Sequence, residues 1–211
     1  MARRSPSPGA RARPGPGAPP DTASLWLIDA DGSDQRPLLP SVERQSDYPG
    51  SWSPDGSQLA FSRGRLALPE HGGPEPIEAA VYLVDAAGSR LRLLVERGWS
   101  PSFSPEGALI AYESEREQNG ELRYPDEAYF ATELHVISSD GSADRRLTST
   151  RNLSEGAPSW SPDGRWIAYG RVDHYGNNSQ VLALRPDGSG LRVLAKAAEQ
   201  DFLSPSWRPR R

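Results

Sequence analysis

Three histidines are the chain's whole supply of imidazole, so any metal or acid–base site must draw on them. His71 follows Glu70, and His174 follows Asp173. A histidine beside a carboxylate is a donor set that suits a divalent cation. The two pairs sit in separate, otherwise unremarkable loops, so the constellation is thin and the expectation is no metal and no cofactor. His71, His174 and Asp173 stand as the weak candidates. His135 lies inside an apolar run, Leu134 to Ile137, and reads as a packing residue.

Other chemistry is excluded more firmly. The run DADGSD, Asp29 to Asp34, looks like a calcium loop, but an EF-hand needs its glycine at the sixth position and Gly32 comes fourth. The chain has no cysteine, which removes disulfides and thiolate-bound zinc. It has no G-x-S-x-G elbow for a serine nucleophile and no glycine-rich phosphate loop. No catalytic residue is therefore assigned. What remains is a surface for binding. The stretch SEREQNGELRYPDEAYFAT mixes Glu115, Glu117, Glu121, Asp126 and Glu127 with Tyr124, Tyr129 and Phe130. Acidic groups interleaved with aromatics fit a protein or peptide partner with basic groups. The candidate binding residues are Glu115, Glu117, Tyr124, Asp126, Tyr129 and Phe130.

The elements that carry these loops are repeats. GSWSPDGSQLAFSR at 50–63, PSFSPEGALIAYES at 101–114 and PSWSPDGRWIAYGR at 158–171 are one phrase written three times, and PSWRP at 205–209 begins a fourth. Proline presets φ for the first central turn position and glycine accepts a positive φ, so each phrase reads as a β-hairpin. The repeat positions are Trp52, Asp55, Gly56, Phe103, Gly107, Trp160, Asp163, Gly164 and Trp207. A second hairpin follows, in LWLIDADGSDQRPLL, VYLVDAAGSRLRLL, LHVISSDGSADRRLT and VLALRPDGSGLRVL. Two hairpins make four antiparallel strands, a to d, and four strands at a period near fifty residues describe a β-propeller blade. Trp26, Tyr82, His135 and Leu182 share one slot on strand c. Leu38, Leu94, Leu147 and Leu194 share one on strand d and are expected in the core. In strand b the alanine of L-A-F, I-A-Y and I-A-Y is expected to let a neighbouring blade approach. The b–c connections, 63–79 and 171–179 among them, carry His71 and His174.

The pattern P-x-W-S-P-D-G-x-x-I-A-Y, followed by an apolar strand and D-x-x-G, resembles the repeats of the TolB-like β-propellers and of the propeller domains of prolyl-oligopeptidase-type peptidases. The resemblance covers about residues 24–209. It implies an all-β propeller with about three complete four-stranded blades (50–95, 101–149 and 158–195). Partial blades stand at both ends, 24–40 and a terminal strand at 204–208. The expected form is an open arc or incomplete propeller, whose open blade edges favour self-association. The functional expectation is a non-enzymatic binding scaffold that works through the long b–c loops. The alternative is the propeller module of a hydrolase or lyase, a peptidase or a TolB-like sugar lyase, without its catalytic part, or a gene fragment. Family members usually act outside the cytoplasm.

Composition agrees. Only 36% of residues are hydrophobic, with 21 prolines and 20 glycines, which suits short strands and turns better than helices. Residues 1–23 are expected to form a disordered Pro/Arg-rich tail, which holds Arg3, Arg4, Arg11 and Arg13 and no large apolar residue before Leu25. That segment lacks the apolar run of a secretory signal, and no stretch reads as a membrane span. Of 24 basic residues, 20 remain beyond the first twenty residues against 28 acidic ones, a balance of about −8 that argues against nucleic acid as a partner.

Overall fold

The computed structural model describes residues 23–66, 77–118, 121–124, 127–173, 178–198 and 204–208. The leader, His71, His174 and Asp126 lie outside them. Two compact units divide after Trp99.

The first unit pairs β1 (Trp26–Leu27) with β2 (Arg36–Pro37), then builds a four-stranded antiparallel sheet from β3 (Gln45–Trp52), β4 (Gln58–Leu66), β5 (Ile77–Asp85) and β6 (Arg92–Glu96). β7 (Gly98–Phe103) and β8 (Leu109–Ser114) open the second sheet, which β11 (Glu133–Ser138) and β12 (Arg145–Arg146) complete. Between them, β9 (Glu121–Tyr124) and β10 (Glu127–Phe130) form a separate hairpin. The third sheet is β13 (Leu153–Trp160), β14 (Ile167–Asp173), β15 (Asn178–Leu184) and β16 (Arg192–Ala198). Each four-stranded sheet is one blade, and the fold is all-β, of propeller type.

The S-P-D-G phrase explains its own turn. Asp55 Oδ1 accepts from Ser53 Oγ at 2.6 Å and from the Ser57 N–H at 3.0 Å, while Ser53 Oγ accepts from the Gln58 N–H at 3.0 Å. Gly56 supplies a φ of +71° that a side chain would resist. These hydrogen bonds bring the Asp55 carboxyl down to about 2. Ser161 and Asp163 repeat the arrangement at 2.7 Å. In the second copy Glu106 reaches instead to Gly164, where an added Cβ would stand 2.5 Å from Oε1. The DADGSD run is a turn of the same kind as the other c–d turns: Asp31 Oδ1 accepts from the Ser33 N–H, as Asp140 does from Ser142.

The strand-c slot is common to all three blades. Tyr82 pairs with Phe61, His135 with Tyr112 and Leu182 with Tyr169. Trp26 pairs with Pro37 and is 45% exposed. Within the second unit, Ala111 and Val136 share a core with Trp160, Ile167, Tyr169 and Leu184, so the small strand-b alanine does let the next blade's tyrosine approach. Full burial of one such aromatic contributes about 2–3 kcal/mol. In the first unit Leu25, Leu38 and Leu39 pack on Leu59, Phe61 and Val84.

Several elements depart from the sequence reading. The innermost strands begin at Gln45, Gly98 and Leu153, five residues or less before the repeated phrase, because a bulge between Pro49 and Ser51, and another between Gly156 and Ser159, interrupts the alternation a strand is read from. Strand b of the first blade runs on to Leu66 and meets Ile77, so the ends of the predicted 63–79 connection are ladder. The strand-d leucines are not one class. Leu38 is buried and Leu147 packs on the core, but Leu94 is half-buried and Leu194 is 52% exposed. No described element covers Leu194. Residues 204–208 form no ladder, yet Trp207 takes a strand-a place: its Nε1 donates to Ser159 O at 2.9 Å, as Trp160 Nε1 donates to Ser102 O at 2.9 Å.

Candidate functional site

The long b–c connection of the second blade holds the predicted binding residues, and the structure fastens it at both ends. At its start, Glu115 to Gln118 leave β8 in a turn, the Gln118 N–H donating to Glu115 O at 2.9 Å. Arg116 Nη1 reaches Asp144 Oδ2, and Asp144 Oδ1 accepts from the Tyr112 hydroxyl at 2.6 Å. Arg116 Nη2 lies 2.7 Å from His135 Nδ1. A guanidinium only donates, so Nδ1 accepts and the imidazole proton sits on Nε2, 3.2 Å from Glu117 Oε2. His135 is fully buried and stacks on Tyr112, with ring centroids 5.2 Å apart.

The electrostatics follow the geometry. Burial opposes ionisation of Asp144, but the neighbouring His135 and the hydrogen bonds from Arg116 and Tyr112 hold its carboxyl far below the usual range. Partial burial pushes on Glu117 in the same way, and His135 and Arg116 outweigh it. Burial, then Asp144, pushes the Tyr112 phenol up. The cluster is ionic and internally satisfied, so its work is to anchor.

The far end of the connection is fastened by carboxylates. Glu133 and Glu155 are both fully buried. Glu133 Oε2 accepts from Thr148 Oγ1 at 2.7 Å and its Oε1 from the Thr150 N–H at 2.8 Å. Arg171 places Nε and Nη2 on the single oxygen Oε1 of Glu155, at 2.7 and 2.6 Å. Among the described residues Glu155 Oε2 has no hydrogen-bond partner. Burial, reinforced by the Glu133 carboxyl, raises Glu155 to about 7 against the pull of Arg171. Thr132 ties the connection to this blade directly, accepting at its carbonyl from the Glu155 N–H and donating Oγ1 to Glu155 O.

Between these two anchors stands the β9–β10 hairpin, with Tyr124 opposite Glu127 and Tyr129 opposite Leu122 in the ladder. Tyr124, Tyr129 and Phe130 are thus brought into one short hairpin. Glu117 belongs to the base, and Glu115, half-buried, lies beside it. Asp126 is outside the described residues. Asp173 ends β14, and its neighbour His174, like His71, is outside them too. Among the described residues no three His, Asp or Glu side chains are placed to hold a metal. Sequence reading missed Arg116, Asp144, Glu133, Glu155 and Arg171. One signal was present: the pairs Asp47–Arg63 and Glu155–Arg171 occupy one register on strands a and b of different blades.

No protein-family model matches the chain. An uncharacterized protein of Agrobacterium fabrum, Atu1656, is 26% identical over 200 residues, which cover 74% of this chain and 61% of that protein. The uncharacterized peptidase YuxL of Bacillus subtilis is 24% identical over 175 residues, 70% of this chain and 25% of the peptidase. Among solved structures, a putative TolB from Agrobacterium tumefaciens superposes with a TM-score of 0.64 at 18% identity, covering 84% of this chain and 58% of that one. An oligogalacturonate lyase in complex with manganese gives 0.57 at 16%, covering 82% and 48%. A prolyl endopeptidase gives 0.58 at 17%, covering 84% and 27%. The chain thus spans less than two thirds of each relative. The fold is that of the TolB-like β-propellers, with the propeller domains of prolyl-oligopeptidase-type enzymes among its likenesses.

Proposed function

We propose that the chain is a non-enzymatic binding scaffold whose partner is a protein or peptide bearing basic groups, received at the second blade's b–c hairpin. One observation carries the reading. A hairpin of acidic and aromatic residues lies between a half-buried ion cluster of Arg116, Asp144 and Glu117 at one end of the connection and the buried carboxylates Glu133 and Glu155 at the other. Holding a loop on a rigid platform lowers the ordering cost of binding. Glu121, Asp126 and Glu127 supply the charge, and Tyr124, Tyr129 and Phe130 the contact area. The experiment is fluorescence anisotropy of a labelled Lys/Arg-rich peptide titrated with the full chain. Tyr124→Ala combined with Asp126→Asn weakens binding about tenfold, and binding declines with salt. Equal affinity of parent and variant refutes the reading.

A second reading has support in the matches to YuxL and the oligogalacturonate lyase: the chain is the propeller module of a hydrolase or lyase. On that reading the same peptide titration gives no saturable binding, and His71, His174 and Asp173 become the residues to substitute in a manganese-binding assay.

A further inference from the structure

The third blade carries a second cluster, at the strand ends opposite its b–c connection. Trp166 closes the a–b turn, its N–H donating to Ser161 Oγ at 2.9 Å. Its indole is half-buried and sits between two arginines. The guanidinium of Arg192 is 4.1 Å from the ring centroid and that of Arg185 is 5.6 Å away. Arg185 is held from another side as well. Its stem runs beside Gly190, where an added Cβ would stand 3.3 Å from Nε and 3.4 Å from Cγ. The floor is braced by Arg145, whose Nη2 donates to Pro186 O at 2.7 Å. Arg165, Trp166, Arg185, Pro186 and Asp187 line an open depression of about 280 Å³.

A guanidinium stacked on an indole uses its face and keeps its in-plane N–H donors for a planar, two-oxygen acceptor. Stacking also removes rotamer freedom before any ligand arrives, so less is lost on binding. The acceptor these donors suit is a carboxylate. Asp187 stands in the wall, its carboxylate accepting from the Ser189 N–H at 2.8 Å, and opposes a dense charge such as phosphate. Next to Arg192 in the chain, Leu191, Val193 and Leu194 are exposed at 55%, 49% and 52%. An extended segment that puts carboxylates on the arginines has exposed apolar side chains within reach.

We propose that Arg165, Trp166, Arg185 and Arg192 form a binding site for an acidic peptide segment of a partner protein, with apolar residues between its carboxylates. This site is independent of the b–c hairpin and takes the opposite charge.

The test is fluorescence anisotropy of a labelled peptide of alternating Glu and Leu, titrated with the full chain at low ionic strength. Saturable binding is expected. Arg185→Gln with Arg192→Gln weakens it at least tenfold, while any binding of a Lys/Leu peptide of the same length, which belongs to the acidic hairpin, is unchanged by the pair. Thermal melting of the double variant checks its fold. Arg192→Gln alone serves if the pair does not fold, and is expected to weaken binding threefold or more. The proposal is overturned if the arginine variants bind as well as the parent. It is also overturned if inorganic phosphate displaces the peptide at equal concentration, for the cluster then takes any anion.

Discussion

The sharpest consequence of the Glu133–Glu155 pair is a stability that falls as the solution approaches neutrality. An ordinary glutamate ionises near 4.5, and Glu155 in the folded chain does so at about 7. Below pH 4.5 both folded and unfolded chains hold the proton and the residue has no effect on stability. Between 4.5 and 7 the unfolded chain releases its proton and the folded chain keeps it, so folding is progressively disfavoured. Above 7 both are ionised and the loss is complete. At roughly 1.4 kcal/mol per pH unit the loss is on the order of 3 kcal/mol. For a chain of this size that corresponds to a melting temperature lower by roughly 6–12 °C. Glu113, half-buried and packed against Gly156, is raised as well and adds a slope of the same sign, so the parent alone is not diagnostic. Glu155→Gln is. Glutamine keeps a carbonyl oxygen for Arg171 and offers N–H to Glu133, which imitates the protonated acid. Melting curves at pH 5, 6, 7 and 8 should show the parent losing stability and the variant losing clearly less, with the difference opening between pH 5 and 7. Parallel curves for parent and variant would refute the assignment of the buried proton to Glu155.

Two further outcomes test the fold. Gly32 and Gly88 occupy the same turn position with φ of +87° and +80°, but a Cβ on Gly32 meets open space and one on Gly88 would stand 2.2 Å from the Leu38 carbonyl oxygen. Gly32→Ala should cost about 1 kcal/mol from backbone strain alone, and Gly88→Ala clearly more, in chemical denaturation followed at the same probe. Trp207→Phe removes the indole donor to Ser159 O while keeping an aromatic ring, and should cost about 1 kcal/mol in the same measurement.

The contrast between what the sequence discloses and what it conceals has a physical source. The S-P-D-G turns are legible because their hydrogen bonds join residues two to five apart, so residue type and spacing suffice. Strand b is legible because Leu59-Ala60-Phe61 and its copies repeat in register and end up buried on both faces. The first halves of strands β3 and β13 are concealed, since Gly, Pro and the bulges beside them look like turn. Leu194 misleads because an offset shared with Leu38 says nothing about whether a neighbour lies on top.

The anchors of the candidate site are concealed for a deeper reason, and it bears on how the site works. Asp144 is 28 residues from Arg116, and Glu155 is 22 from Glu133, so no local pattern announces either pair. Each arises only when the blades are assembled. His135 shows what this implies. Its slot holds Tyr82 and Leu182 in the neighbouring copies, and it stacks on Tyr112 as Tyr82 stacks on Phe61, so packing alone does not call for an imidazole. What the imidazole adds is an acceptor for Arg116 and a donor for Glu117, the residues that begin the long connection. The second blade has Ser114 where the other two place Arg63 and Arg171, and its arginine comes two residues later, in the loop itself. Moving the cation out of the strand turns an ion pair that joins strands a and b into one that fastens the b–c connection to Asp144 in the c–d connection, with a hydrogen bond to His135 on strand c. The blade that carries the acidic, aromatic hairpin is therefore the one whose buried charge has been re-routed to hold it.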